Sequence, residues 1–282
     1  MTVDYTKFPF PSVENPRAAT LTEAITAPPV DQGFVLLAIK LRDPAGFETA
    51  VRTFAQAVRA TAEETGLRDV TAYREFRRNE LGGAVPFDQA IAAAMLDNAV
   101  ERAKFEDGRY PALGPAIKMA KENDIADYTL LLEYASTDQA TKAVATWKGG
   151  ERSYVALTGD AENVTLGAFR NMKRYASVSR DPNVIQFFNF FPGPADADAL
   201  WQGWQDALPW FFETGEMRSS FPMKALDPEQ PLLVVNYAHF DSIKHFFLGV
   251  AYDPNYLEVV TRCYADRGFK LPMPFFCKIV PV

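Results

Sequence analysis

PLLVVNYAHFDSIKHFFLGV, residues 231–250, is an apolar strand closing on Tyr237-Ala238, then an aspartate (Asp241), then the opening of an amphipathic helix. The same plan appears earlier as DYTLLLEYASTDQATKAVATW, residues 127–147, where Tyr134-Ala135 closes the strand and Asp138 leads into the helix. A plan that occurs twice points to duplication. Glu64-Thr65-Gly66 recurs as Glu213-Thr214-Gly215, 149 residues on, whereas Tyr237 follows Tyr134 by 103. One insertion of about 46 residues in the first half reconciles the two offsets.

Outward from these copies, the chain alternates strands and helices. Residues 1–33 carry Pro9, Pro11, Pro16, Pro28 and Pro29 with little periodicity and are expected to form an extended arm. FVLLAIKL, 34–41, is apolar on both faces and so needs cover on both sides. Val51, Phe54, Ala55 and Val58 make one helical stripe, which Gly66 ends, and VTAYREFR, 70–77, alternates as a strand. Residues 80–125 are rich in Ala, Met and Leu and are predicted to be a helical insert. The strand and helix of 127–147 follow, then a strand near Leu166–Tyr175, and Ser177–Asn183 is the expected linker. The second half predicts a strand at 184–191, a helix at 197–212, a strand at 217–224, the quoted strand and helix, and a last strand at 274–280.

Each half is thus β-α-β-β-α-β, the split βαβ of a ferredoxin-like fold. In its order of elements the chain resembles the dimeric α/β-barrel superfamily over residues 34–282, without a signature motif. That superfamily includes cofactor-free antibiotic-biosynthesis monooxygenases, stress-responsive barrel proteins and, more distantly, chlorite dismutases and dye-decolorising peroxidases. The resemblance implies an α+β fold in which two tandem ferredoxin-like halves, 34–176 and 184–282, close an α/β barrel within one chain.

If the wholly apolar strand faces meet the helices, Lys40, Glu133, Asn189 and Asn236 point between the sheets, where a polar-lined pocket is expected. The offsets place Lys40 on Asn189 and Glu133 on Asn236. Aromatic residues crowd the second half, among them Phe187, Phe191, Trp201, Trp204, Trp210 and Phe211. Trp204 and Phe211 fall on the buried helix stripe, with Trp201, Trp210 and Phe212 flanking it. Cofactor-free monooxygenases of the superfamily bind flat aromatic substrates and use Asn, Trp or Tyr side chains. The resemblance therefore nominates Asn189, Asn236, Tyr237 and His239 as catalytic and Lys40, Glu133, Phe187 and Phe191 as substrate-binding.

Haem relatives use a proximal histidine, and this chain has two, His239 and His245. Ile243, Phe246, Phe247 and Val250 form the buried stripe of their helix, which turns His245 outward, while His239 ends a strand in a turn or capping position. No multi-histidine metal centre, nucleotide loop or nucleophile elbow is present in the sequence. A net charge of −7 and a pI near 5.0 disfavour nucleic acid and anionic membranes as partners. Two cysteines without CxxC spacing and the absence of an apolar run of spanning length predict a cytoplasmic protein.

Three functions stay open at this point. The first is binding of a small apolar or aromatic molecule between the sheets, with cofactor-independent monooxygenase chemistry as its use. The second is haem-dependent oxidoreduction, and the third a non-enzymatic binding or assembly role, with a homo-oligomer compatible with each.

Overall fold

Residues 31–41 show why the sheet curls on itself: the strand is buried along nearly all its length, with helices on one side and other strands' side chains on the other. The computed structural model describes residues 25–26, 31–75, 126–172, 174–175, 179–182, 184, 186–192, 197–213, 217–240, 263–264 and 273–282. The expected insert at 80–125 and the helix carrying His245 lie outside the described residues.

The described elements run β1 (Ile25–Thr26), β2 (Gly33–Leu41), α1 (Glu48–Ala60), α2 (Ala62–Thr65), β3 (Leu67–Glu75), β4 (Tyr128–Tyr134), α3 (Thr137–Lys148), α4 (Arg152–Thr158) and β5 (Ala161–Asn171). They continue as β6 (Arg174–Tyr175), β7 (Gln186–Pro192), α5 (Ala197–Glu213), β8 (Met217–Ala225), β9 (Leu232–Phe240) and β10 (Met273–Val280). Strand order is β5-β2-β4-β3-β10-β7-β9-β8, and β8 pairs back onto β5, so eight antiparallel strands form a closed barrel. The two seams are short: β5 meets β8 through Phe169–Asn171, and β3 meets β10 through Ala72–Glu75. From the amino-terminal arm, β1 pairs with β6 beside β8, outside the ring.

Two apolar layers result from strand alternation. Val35, Leu37, Ile39, Leu130 and Leu132 face outward and pack with Val51, Phe54 and Val58 of α1, Val144 and Trp147 of α3, and Leu157 of α4. Phe34, Leu36, Leu131, Phe188, Phe190 and Tyr237 face inward and line the barrel. Each such buried ring contributes roughly 1.5–3 kcal/mol. Close approach matters at Gly33, where an added Cβ would lie 2.4 Å from Ser136 O, so glycine lets the start of α3 rest on the start of β2. Ser136 caps α3 by accepting from Gln139 N.

Three details depart from the sequence expectation. α4 was not anticipated; it starts where the Glu151 carboxylate accepts from the Ser153 and Tyr154 amides. On α5, Trp204 is buried as expected, but Trp210 is fully buried while Phe211 is only half-buried. The stripe therefore keeps Trp204 and Ala207 and takes in Leu208 and Trp210, with Phe211 at its edge. The predicted strand 166–175 is instead β5, starting at Ala161, followed by the separate β6.

Candidate active site

Inside the barrel the rings pack on one another, and two of them carry hydroxyls. Phe188 stacks on Tyr237 with ring centroids 4.6 Å apart, and Tyr73 meets Phe188 edge-on at 5.0 Å. The Tyr73 hydroxyl donates to the Tyr237 hydroxyl at 2.6 Å, and Tyr237 donates to Gln186 Oε1 at 3.3 Å. β3, β9 and β7 place these three side chains inward by alternation: Tyr73 and Tyr237 belong to the inner cluster, and Gln186 is two residues before Phe188. Burial pushes both phenols well above the ordinary tyrosine range, so both stay protonated at neutral pH. Cys277 also faces this interior, and burial raises its thiol.

The barrel end formed by the starts of β2, β3 and β7 and the finishes of β4 and β9 is closed by polar residues. Arg180 Nη2 lies 2.7 Å from Glu133 Oε1 and 2.9 Å from Asp69 Oδ2, while Nη1 donates to the Thr71 hydroxyl. Burial works against the guanidinium charge, but the Asp69 and Glu133 carboxylates help to outweigh it and raise Arg180 above its ordinary value. Gln32 Nε2 donates to the other Glu133 oxygen at 3.2 Å. The neighbouring Ser179 N–H donates to His239 Nδ1 at 3.3 Å, and Ser219 Oγ lies 2.6 Å from the same nitrogen. An amide can only donate, so Nδ1 is the acceptor and Nε2 carries the imidazole proton. Arg180 is nearly half exposed, so solvent reaches this end, while the phenols behind it are buried.

The structure brings Tyr237, His239 and Glu133 together at this end. Lys40 faces inward as expected but lies at the opposite end, 3.3 Å from Asp127, whose second oxygen accepts from Leu41 N. Asn189 and Asn236 correct the expectation. They are direct partners across β7 and β9, flanked by inward-facing Phe188, Phe190, Val235 and Tyr237, so both point outward. The offsets of 149 and 103 are odd, and a one-residue slip turns a strand's side chains to the opposite face. Asn236 accepts from Ser220 on that outer face at 2.8 Å. Phe187 and Phe191 also face outward, against Phe240 and Tyr264. Sequence reasoning missed Tyr73, Gln186 and Arg180; the alternation of VTAYREFR marked Tyr73 as a strand residue, but nothing marked Arg180.

Haem does not fit the described residues. His239 offers iron no free lone pair, since Nδ1 accepts from Ser179 and Nε2 is protonated. His245 lies outside the described residues. Among the described residues, no group of three or more His, Cys, Asp or Glu is placed to hold a metal ion, and both Cys263 and Cys277 are buried. No described helix is long and apolar enough to cross a membrane.

Neither a protein-family model nor a curated protein matches the sequence. Solved structures do match in fold. An anthrone oxidase-like protein superposes with a TM-score of 0.60 at 12% identity, covering 91% of this chain and 94% of that one. A protein assigned as a monooxygenase from Lactobacillus acidophilus NCFM gives 0.44 at 9% identity, covering 88% and 94%. A chlorite dismutase variant from Candidatus Nitrospira defluvii gives 0.43 at 10%, covering 90% and 92%. With its closed antiparallel barrel and outer helices, the chain shares the fold of the anthrone oxidase-like protein.

Proposed function

We propose that this dimeric α/β barrel binds a flat, apolar molecule with an acidic methylene conjugated to a ketone, and oxidises it with molecular oxygen without a cofactor. The observation that carries the reading is the buried Tyr73–Tyr237 hydroxyl pair, two neutral phenols inside a largely apolar barrel. The Tyr237 bond to Gln186 is long at 3.3 Å, and its proton is the one a substrate oxygen takes over. Loss of the methylene proton, to solvent at the Arg180 end, leaves a carbanion whose charge spreads onto the ketone oxygen. A preorganised phenol hydrogen bond to that oxygen stabilises the charge in a dry site. Oxygen adds to the carbanion as a peroxide, and loss of water leaves a second ketone, so methylene and O2 give carbonyl and water. The likeness to an anthrone oxidase-like barrel supports this substrate class through the fold.

Two tandem ferredoxin-like halves, 34–176 and 184–282, account for this barrel. The orders β5-β2-β4-β3 and β10-β7-β9-β8 are the same arrangement, with β2 and β7 in equivalent places. Two buried cysteines without CxxC spacing suit a reducing cytoplasm.

The test is oxygen consumption with anthrone, followed beside quenching of protein fluorescence. One O2 consumed per anthrone is expected, at a rate that falls about 100-fold or more in Tyr237→Phe, in a protein without a Soret band. Anthrone that neither binds nor is oxidised, or a Tyr237→Phe variant as fast as the parent, overturns the reading.

A further inference from the structure

Thr129 stands in β4 directly between Ala38 of β2 and Tyr73 of β3. Both neighbours belong to the inner cluster, and Leu131, two residues on, does too, so the Thr129 side chain faces the barrel interior. It is fully buried, at 0% exposure, and its Oγ1 has no hydrogen-bond partner among the described residues. Its neighbours do not satisfy it. Ala38 has no polar side-chain atom, and the Tyr73 hydroxyl, at the far end of its ring, already donates to Tyr237.

A buried hydroxyl left unbonded destabilises the fold, and valine has the same shape and a strong preference for strands. A threonine held at this position is therefore explained by something that enters the barrel and bonds to it. Thr129 and Tyr73 are adjacent across the β3–β4 ladder, so the threonine hydroxyl and the phenol pair approach the interior from the same side.

We propose that Thr129 Oγ1 is a second donor to the ligand's ketone oxygen, setting a preference for ketones over hydrocarbons of the same outline. The proposal rests on the binding site assigned above, with Tyr237 as the first donor. A ligand without that oxygen leaves the hydroxyl unbonded and so gains nothing from it.

The experiment compares the affinities of anthrone and 9,10-dihydroanthracene, which has CH2 in place of the ketone, for the full chain and for Thr129→Val and Thr129→Ser. The expected result is a roughly 10-fold weaker affinity of Thr129→Val for anthrone, unchanged affinity for dihydroanthracene, and near-parental binding by Thr129→Ser. The valine variant without ligand is expected to melt about 2–4 °C higher, since it no longer buries an unbonded hydroxyl. Unchanged anthrone affinity in Thr129→Val overturns the proposal and leaves the hydroxyl to a water. Equal weakening for both compounds overturns it too, by showing a packing effect. If anthrone does not bind the parent protein, this proposal falls together with the assigned function, a result distinct from the other two.

Discussion

A single guanidinium joins distant parts of the sequence at the barrel mouth. Arg180 reaches Glu133 at 2.7 Å and Asp69 at 2.9 Å, and the segment that carries it also bonds His239 through Ser179. Because Arg180 is nearly half exposed, water screens these pairs, and the cost of losing them lies between that of a surface pair and a buried one. Arg180→Ala is expected to lower stability by about 1–2 kcal/mol, read as a denaturant midpoint, with a smaller difference at high salt. An unchanged midpoint would show that the bridge carries no weight. The phenols behind it respond to pH instead. Burial raises both Tyr73 and Tyr237 above the ordinary value of 10.0, so the unfolded chain ionises them at a lower pH than the folded barrel does. Their contribution is full below about pH 10 and is lost as the pH climbs through the folded values. Tyr237→Phe should flatten this alkaline loss of stability. A variant that weakens with alkali as steeply as the parent would contradict it.

At the scale of elements, hydrophobic period was enough to find most of the architecture. FVLLAIKL needed cover on both faces and has it, and the α1 stripe of Val51, Phe54, Ala55 and Val58 is buried as its spacing requires. The site was less legible because it depends on register. Tyr134 and Tyr237 look equivalent in sequence, yet Tyr134 packs in the helix-facing layer and Tyr237 in the barrel. The Tyr-Ala pairing slips by one residue relative to the faces, so Asn189 and Asn236 were assigned inward when they point outward. Composition cannot expose such a slip, since β7 and β9 are apolar on both faces. α4 escaped notice because a seven-residue helix carries barely two turns of pattern. Arg180 escaped because its partners are 47 and 109 residues away, and only the closed barrel brings them to one end.

For the whole molecule, closure is what makes the aromatic interior stable. Each four-stranded half has one inner face that its own helices do not cover; in the first half that face includes Phe34, Leu36, Tyr73, Leu131 and Phe169. It also has two free edges, β5 and β3, which in the intact chain are taken by β8 and β10. Alone, residues 1–176 would expose a broad apolar patch flanked by unpaired strand edges, a surface that associates rather than stays in water. The fragment is therefore expected not to persist as a folded monomer but to sediment as a dimer or larger species, using a second copy to close the barrel. Mixed with residues 184–282, it should form a one-to-one complex, because the second half supplies the β8 and β10 edges its own seams were built to meet. Analytical ultracentrifugation and thermal unfolding decide the matter. A fragment that sediments as a monomer and unfolds cooperatively near the melting temperature of the intact chain would mean that the halves are independent domains, and that the Tyr73–Tyr237 contact only links them rather than forming part of one core.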